Sequence, residues 1–243
     1  MHKQWFISDL HLTIERGATL ARFEHFLDTV PATGNRVFIL GDLFDVWIGD
    51  DDDTELANRV RETLKAAATR GISLFIQRGN RDFAIGEQLM RDTGATLLKD
   101  TYVTEVAGEP TLLMHGDLLC TDDVEYQKAR RRFRNPIFRW LMLRKSLAER
   151  RKVADHIRAR SRERKALKAE EIMDVNTDTV MRYLQRHGVR QLIHGHTHRP
   201  TTHAHRLPDG REATRLVLPE WHDESAIAWC DDGQRLTPVA LND

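Results

Sequence analysis

"LFIQRGNRDFAI" (74–85) is the stretch on which the reading of this chain turns. An apolar run, Leu74-Phe75-Ile76, stops at Gly79, and Asn80, Arg81 and Asp82 follow at once. An apolar strand that ends in a glycine and a cluster of polar groups delivers side chains to a site. The same design recurs outward along the chain. "QWFIS" (4–8), "RVFIL" (36–40), "SLFIQ" (73–77) and "TLLMH" (111–115) read as strands. Between them lie the amphipathic stretches "LARFEHFLDTV" (20–30) and "ELANRVRETLKAAATRG" (55–71), the second closed by a glycine as helices often are. Alternation of strands and helices predicts an α/β fold. After "QLIHGHTHRP" (191–200) come four β-leaning runs, "TTHAHRL", "ATRLVL", "SAIAWC" and "LTPVAL", with turns at Asp209-Gly210 and Asp232-Gly233. These read as antiparallel strands. The predicted architecture is therefore a two-sheet mixed β-sandwich flanked by helices.

The 243 residues fit one domain, 1–243, carrying a helical insertion at 122–170. Net charge is zero, so global charge names no partner. Its distribution is more informative. Residues 128–168 hold 17 lysines and arginines against three acidic residues, which leaves 20 basic and 34 acidic residues elsewhere. A basic helical segment is thus joined to an acidic body. "NPIFRWLMLRKSL" (135–147) adds Phe138, Trp140, Leu141, Met142 and Leu143 to that segment. Two cysteines without a CxxC pattern argue against a disulfide framework or structural zinc and for a reducing cytosol. The start "MHKQWFISDL" lacks a signal-peptide core, and no apolar run approaches the roughly 20 residues that span a bilayer.

Every apolar strand ends in metal-ligand residue types. They supply Asp9 and His11; Asp42, with Asp45 nearby; Asn80 and Asp82; His115 and Asp117; and His194, His196 and His198. In an extended chain residues two apart share a face, so Asp9 pairs with His11 and His196 with His198. Parity alone admits His194 as well. Five such clusters point to a metal or catalytic site. Oxygen and imidazole donors without thiolate favour Mn, Fe or Zn in an open site. Asp82 and Asp117 read as loop-holding residues. "GDDDDT" (49–54) reads as a solvated acidic loop, and His203 and His205 as structural.

In this order, D-x-H, G-D, G-N-R-D, H-G-D and G-H-T-H resemble the motifs of the calcineurin-like metallophosphoesterase superfamily over residues 7–200. The resemblance implies a dinuclear metal site. One ion takes Asp9, His11, Asp42 and His198, the other Asp42, Asn80, His115 and His196. It also demotes His194. Two such ions, roughly 3.5–4 Å apart, bind phosphate oxygens and acidify a water.

Members of that superfamily commonly carry histidine after the asparagine, to help the leaving group depart. Arg81 cannot release a proton near neutral pH. A leaving phosphate monoester, with a second pKa of roughly 6, needs none. Arg81 can still bind phosphate oxygens in pairs. The expected substrate is a diphosphate cleaved at its anhydride. G-N-R-D, "HGDLLCTDD", the basic insertion and "GHTHRP" together resemble the UDP-2,3-diacylglucosamine pyrophosphatases of lipid A biosynthesis. That resemblance implies two Mn²⁺ ions and hydrolysis of UDP-2,3-diacylglucosamine to UMP and 2,3-diacylglucosamine 1-phosphate. Water attacks the phosphorus nearer uridine, with Asp42, Asn80, Arg81, His115 and His196 as catalytic residues. It carries substrate contacts onto Asn80, Arg81, Asp123, Ser161, Lys168 and His196, and onto Lys165, where the family often has asparagine. Asp122 and Asp123 are equally placed to cap the helix that follows. The insertion would offer an apolar cleft to acyl chains and a basic face to anionic lipid at the cytoplasmic side of the inner membrane. Nucleic acid and an obligate protein partner are not expected. Two other readings are another phosphoesterase, such as a protein phosphatase or nuclease, and a non-catalytic scaffold. Arg81 speaks against the first and the full set of seven ligands against the second.

Overall fold

Each predicted apolar run forms a strand in the computed structural model, which describes residues 2–155 and 174–241. Along the chain come β1 (Gln4–Ile7), α1 (Gly17–Thr29), β2 (Arg36–Leu40), α2 (Glu55–Thr69), β3 (Ser73–Gln77), α3 (Glu87–Thr93), β4 (Thr96–Leu97), β5 (Tyr102–Val106) and β6 (Glu109–Leu113). Helices α4 (Val124–Arg134) and α5 (Pro136–Leu143) follow, then helical residues 147–155. The chain closes with α6 (Thr177–His187), β7 (Gln191–His194), β8 (Thr202–Arg206), β9 (Glu212–Val217), β10 (Ile227–Asp231) and β11 (Leu236–Ala240). One sheet runs β11-β10-β1-β2-β3-β4 and the other β5-β6-β7-β9-β8.

Side-chain alternation explains the layers. Trp5, Ile7, Val37, Ile39, Leu74 and Ile76 pack under α1, α2 and α3. Phe6, Phe38 and Phe75 point the other way, between the sheets, with ring centroids 5.2 and 4.8 Å apart. Both faces of the central strands are therefore covered, which is why they read as unbroken apolar runs. In α2 the buried residues Ala57, Val60, Leu64 and Ala67 form one helical stripe, and the Thr54 side chain accepts a hydrogen bond from Ala57 N at 3.3 Å as its cap. Val180 and Leu184 of α6 cover the outer face of the second sheet.

The C-terminal runs are less self-contained than predicted. β8 and β9 pair antiparallel, as do β10 and β11, but β9 lies parallel to β7 and β10 crosses to the first sheet to pair with β1. β5, too polar to stand out as an apolar run, pairs with β6 through a turn at Ala107 and Gly108, both with positive φ.

The acidic loop is not merely solvated. Asp50 caps α3, its Oδ2 accepting from Leu89 N at 3.0 Å and its Oδ1 from Gly86 N at 3.0 Å. Asp51 takes both terminal nitrogens of buried Arg150, and Arg151 reaches Asp52 and Asp53. At the other end of the basic segment, Arg130 pairs with Asp117 at 2.7 Å and Asp100 at 2.6 Å, while Arg134 donates to the Arg78 carbonyl at 2.8 Å. Among the described residues, Arg130, Arg134, Arg150 and Arg151 thus dock the helices on the body.

Candidate metal centre

The C-terminal ends of β1, β2, β3, β6 and β7 open into one crevice, the place where α/β sheets bind ligands. His11 Nε2 lies 3.9 Å from Asp9 Oδ1 and 3.9 Å from Asp42 Oδ2. His198 Nε2 lies 3.4 Å from Asp9 Oδ1 and 3.4 Å from His11 Nε2. On the other side, His115 Nε2 is 3.8 Å from Asp42 Oδ1 and 3.0 Å from Asn80 Oδ1, and the His196 ring centroid is 4.9 Å from that of His115. All seven predicted ligands are brought together. Asp42 faces His11 with one oxygen and His115 with the other. Asp9 belongs to both compact donor groups, Asp9-His11-His198 and Asp9-Asp42-His115, in each of which the ligand atoms lie within 4.8 Å of one another.

The pairing does not arise from strand parity. Asp9, His11, Asp42, His196 and His198 all adopt left-handed backbone, with φ between 47 and 69°. Among non-glycine residues this conformation is uncommon, and it clusters where surrounding structure holds a functional loop in place. Glycines permit the crowding. A Cβ at Gly79 would stand 2.0 Å from Asp42 Oδ1, and one at Gly195 2.0 Å from Asp9 Oδ2.

These donors fit a divalent cation. Asp9 Oδ1 is buried, and its 3.4 Å contact with His198 Nε2 falls short of hydrogen-bond geometry. His115 Nδ1 donates to the Leu40 carbonyl at 2.9 Å, so in the neutral ring the Nε2 lone pair faces Asn80 Oδ1 at 3.0 Å; burial opposes protonation of that ring, but Asp42 and Asp9 raise it. Two lone pairs facing each other need a cation or a proton nearby. Surrounding contacts orient the ligands. Asp9 Oδ2 accepts from Ser8 Oγ at 2.6 Å and His196 N at 2.8 Å. Asp42 Oδ1 accepts from Arg81 N at 2.8 Å. Asp82 holds the loops as predicted, accepting from Gly79 N at 2.6 Å and Leu43 N at 2.8 Å.

Burial pushes His11 down to about 4 despite the nearby Asp9 carboxylate, and burial with His115 pushes His196 down to about 3. Both rings are therefore neutral at pH 7, as metal coordination by imidazole requires. Burial opposes protonation of His198 too, but Asp9 and Glu220 outweigh it and raise the ring to about 9. Burial raises Asp42 to about 6, with Asp9 adding to it against His115. Asp9 is held below the usual carboxylate range because His198, His115 and His11 overcome its burial.

Arg81 lines the crevice wall. Its guanidinium is 4.0 Å from Asp45 and makes no hydrogen bond among the described residues. Asn80 and Arg81 also border a small apolar cleft, partly open to solvent, walled by Trp47, Phe83, Met142 and Leu143. Asp123 caps α4, accepting from Tyr126 N at 3.0 Å, while Asp122 accepts from the Asn176 side chain. Ser161, Lys165 and Lys168 lie outside the described residues. Two contacts were not anticipated. Glu220 sits 2.5 Å from His198 Nδ1, and Tyr126 donates to Asp117 at 3.0 Å with its ring 5.8 Å from that of His196. Nothing in "LPEWHDES" ties Glu220 to the ligand motifs.

Comparison with known proteins places this geometry. The calcineurin-like phosphoesterase family model matches residues 2–200. A UDP-2,3-diacylglucosamine hydrolase of Edwardsiella ictaluri is 44% identical over 226 residues, 93% of this chain and 87% of the relative. Proteins of the same name from Pseudomonas paraeruginosa and Aromatoleum aromaticum are 44% and 45% identical over 237 residues, 97% of this chain and 98% and 95% of theirs. A divalent-metal site at the strand ends, two mixed sheets between helices and likeness over nearly the whole length agree: the chain belongs to the calcineurin-like phosphoesterase family and, within it, to the UDP-2,3-diacylglucosamine hydrolases.

Proposed function

We propose that this chain hydrolyses the diphosphate bond of UDP-2,3-diacylglucosamine, releasing UMP and 2,3-diacylglucosamine 1-phosphate for lipid A biosynthesis. The observation that carries the reading is the juxtaposition on one crevice of clustered Asp and His donors, an arginine whose guanidinium makes no hydrogen bond among the described residues, and an apolar cleft. The native ions are two Mn²⁺, one held by Asp9, His11, Asp42 and His198 and the other by Asp42, Asn80, His115 and His196. Divalent ions in such a site supply Lewis acidity toward phosphate oxygens and a water acidic enough to ionise near pH 7.

The chain's own groups do the remaining work. Arg81 offers paired N–H donors to the charge that grows on the departing lipid phosphate. It cannot protonate that group, and the phosphate leaves without a proton. Asn80 and His196 serve as ligands beside the phosphates. The described part of the insertion supplies the apolar wall, through Met142, Leu143, Val153 and Ala154, that receives the acyl chains, and Asp123, with Ser161, Lys165 and Lys168 outside the described residues, contacts the substrate from the 122–170 cap. Exposed Ile137, Trp140 and Leu141 lie on one side of α5, with the Arg144 guanidinium 4.0 Å from the Trp140 ring centroid. An apolar helix face beside basic residues suits peripheral contact with the anionic cytoplasmic surface of the inner membrane. Among the described residues no helix is long and apolar enough to cross a membrane.

The test is Mn²⁺-dependent UMP release from the diacyl UDP-sugar, set against cleavage of bis-p-nitrophenyl phosphate and single-stranded DNA. The expected result is strong preference for the diphosphate, abolished in Asp9→Ala. Equal or faster cleavage of the phosphodiesters overturns the assignment.

A further inference from the structure

His194 is fully buried in the same stretch as His196 and His198, yet it is absent from the donor set. Both of its ring nitrogens are engaged elsewhere. Nε2 lies 3.1 Å from Arg215 Nη1, and Nδ1 lies 2.7 Å from the Gly195 carbonyl. Arginine only donates, so Nε2 accepts and the ring proton sits on Nδ1, where it is given to Gly195 O. The same carbonyl accepts from Thr197 N at 2.8 Å, and Gly195 N donates to the His115 carbonyl at 2.9 Å. This turn carries His196 and His198 in left-handed backbone, a conformation that persists only where neighbours over-determine it.

Arg215 is the unexpected member. It stands on β9 opposite Leu192, is only 4% exposed, and its buried Nε has no hydrogen-bond partner among the described residues. A buried guanidinium with an unpaired nitrogen is a poor way to hold two sheet strands together, since an apolar side chain of similar length commonly does so as well or better. What Arg215 provides that an apolar residue cannot is a donor for His194.

We propose that Arg215 and His194 are a positioning pair for the metal centre. Arg215 fixes the tautomer and rotation of His194. His194 then holds the Gly195 carbonyl and with it the strained turn that aims His196 and His198. The inference rests on the reading of those two histidines as ligands, so the experiment separates the two ideas.

The full-length chain, stripped with chelator, is titrated with Mn²⁺ by calorimetry, and the melting temperature of the metal-free protein is measured alongside. In Arg215→Met and His194→Leu the affinity for Mn²⁺ is expected to fall roughly 10–100-fold, the usual effect of losing a group that orients a ligand. The metal-free melting temperature of Arg215→Met is expected to equal or exceed that of the parent. In His194→Asn the amide nitrogen stands near the place of Nδ1 and retains the bond to Gly195 O. That variant should recover most of the affinity lost in His194→Leu. Parental Mn²⁺ affinity in Arg215→Met overturns the proposal, as does a loss that tracks a lowered metal-free melting temperature across the variants. Should His194→Leu not fold, Arg215→Met and His194→Asn still decide. His196→Ala is the control. If it too binds Mn²⁺ like the parent, the ligand assignment fails; if it alone loses the metal, only the positioning pair fails.

Discussion

A carboxylate 2.5 Å from His198 Nδ1 leaves that ring a single nitrogen for a metal, and Glu220 provides it. Glu220 and Asp9 together raise the metal-free ring to about 9, so below that pH it carries a proton that a metal must displace. Metal binding at pH 7.5 is expected to release a proton from His198, with His115, also raised by Asp42 and Asp9, adding to it, and the release should fade as pH rises past 9. Titration calorimetry in buffers of different ionisation enthalpy measures this. A release unchanged between pH 7 and 10 contradicts it. Glu220→Gln should weaken metal binding by roughly tenfold and reduce the proton release at pH 7.5. The clustering of the proposed ligands was legible as D-x-H and H-x-H spacings, but the reason is not the extended backbone that spacing suggests. The chain turns left-handed at Asp9, His11, His196 and His198, whereas His194 ends a true strand and meets Arg215 instead. Glu220 was not legible, because its role depends on a segment folding back across the site from β9.

Ligand loops from different strands touch each other's backbones. The Gly79 loop after β3 lies against the Asp42 carboxylate from β2, with no room for a methyl group. Gly79→Ala must therefore displace Asp42 or the loop. The expected outcome is a loss of activity above 100-fold, with a stability cost of about 1–3 kcal/mol from the overpacking. Steady-state kinetics and urea unfolding check both halves, and near-parental kcat overturns the account. Four of the central strands were legible because burial on both faces makes their sequences apolar throughout. The described part of the basic segment, up to residue 155, was legible as helical but not in its use of charge. Composition does not distinguish an arginine facing solvent from Arg150, which is 2% exposed and bound to Asp51, or Arg130, which clasps Asp117. That depends on which acidic loops the fold brings opposite.

Three ligand-bearing strand ends belong to one sheet and two to the other, so a metal bound at the crevice ties the two sheets together. At metal concentrations near 100 times Kd this linkage is worth about 2.7 kcal/mol. For a chain of this size it corresponds to a fall in Tm of roughly 5–10 °C on chelation, readable by scanning calorimetry. An unchanged Tm excludes the cross-link. The sandwich was foreseen from the mixture of run types; the crossing of β10 to the first sheet was not, because pairing partners far apart in sequence leave no local periodicity. That crossing bears on biosynthesis. All seven proposed ligands precede residue 200, but β1 is flanked by β10, Trp221 N donates to the Asp9 carbonyl, and Glu220 holds His198. A fragment ending at residue 200 should contain every ligand and still fail to retain Mn²⁺ on gel filtration, while the whole chain retains it. A ribosome-bound chain would then remain metal-free until its last strands emerge.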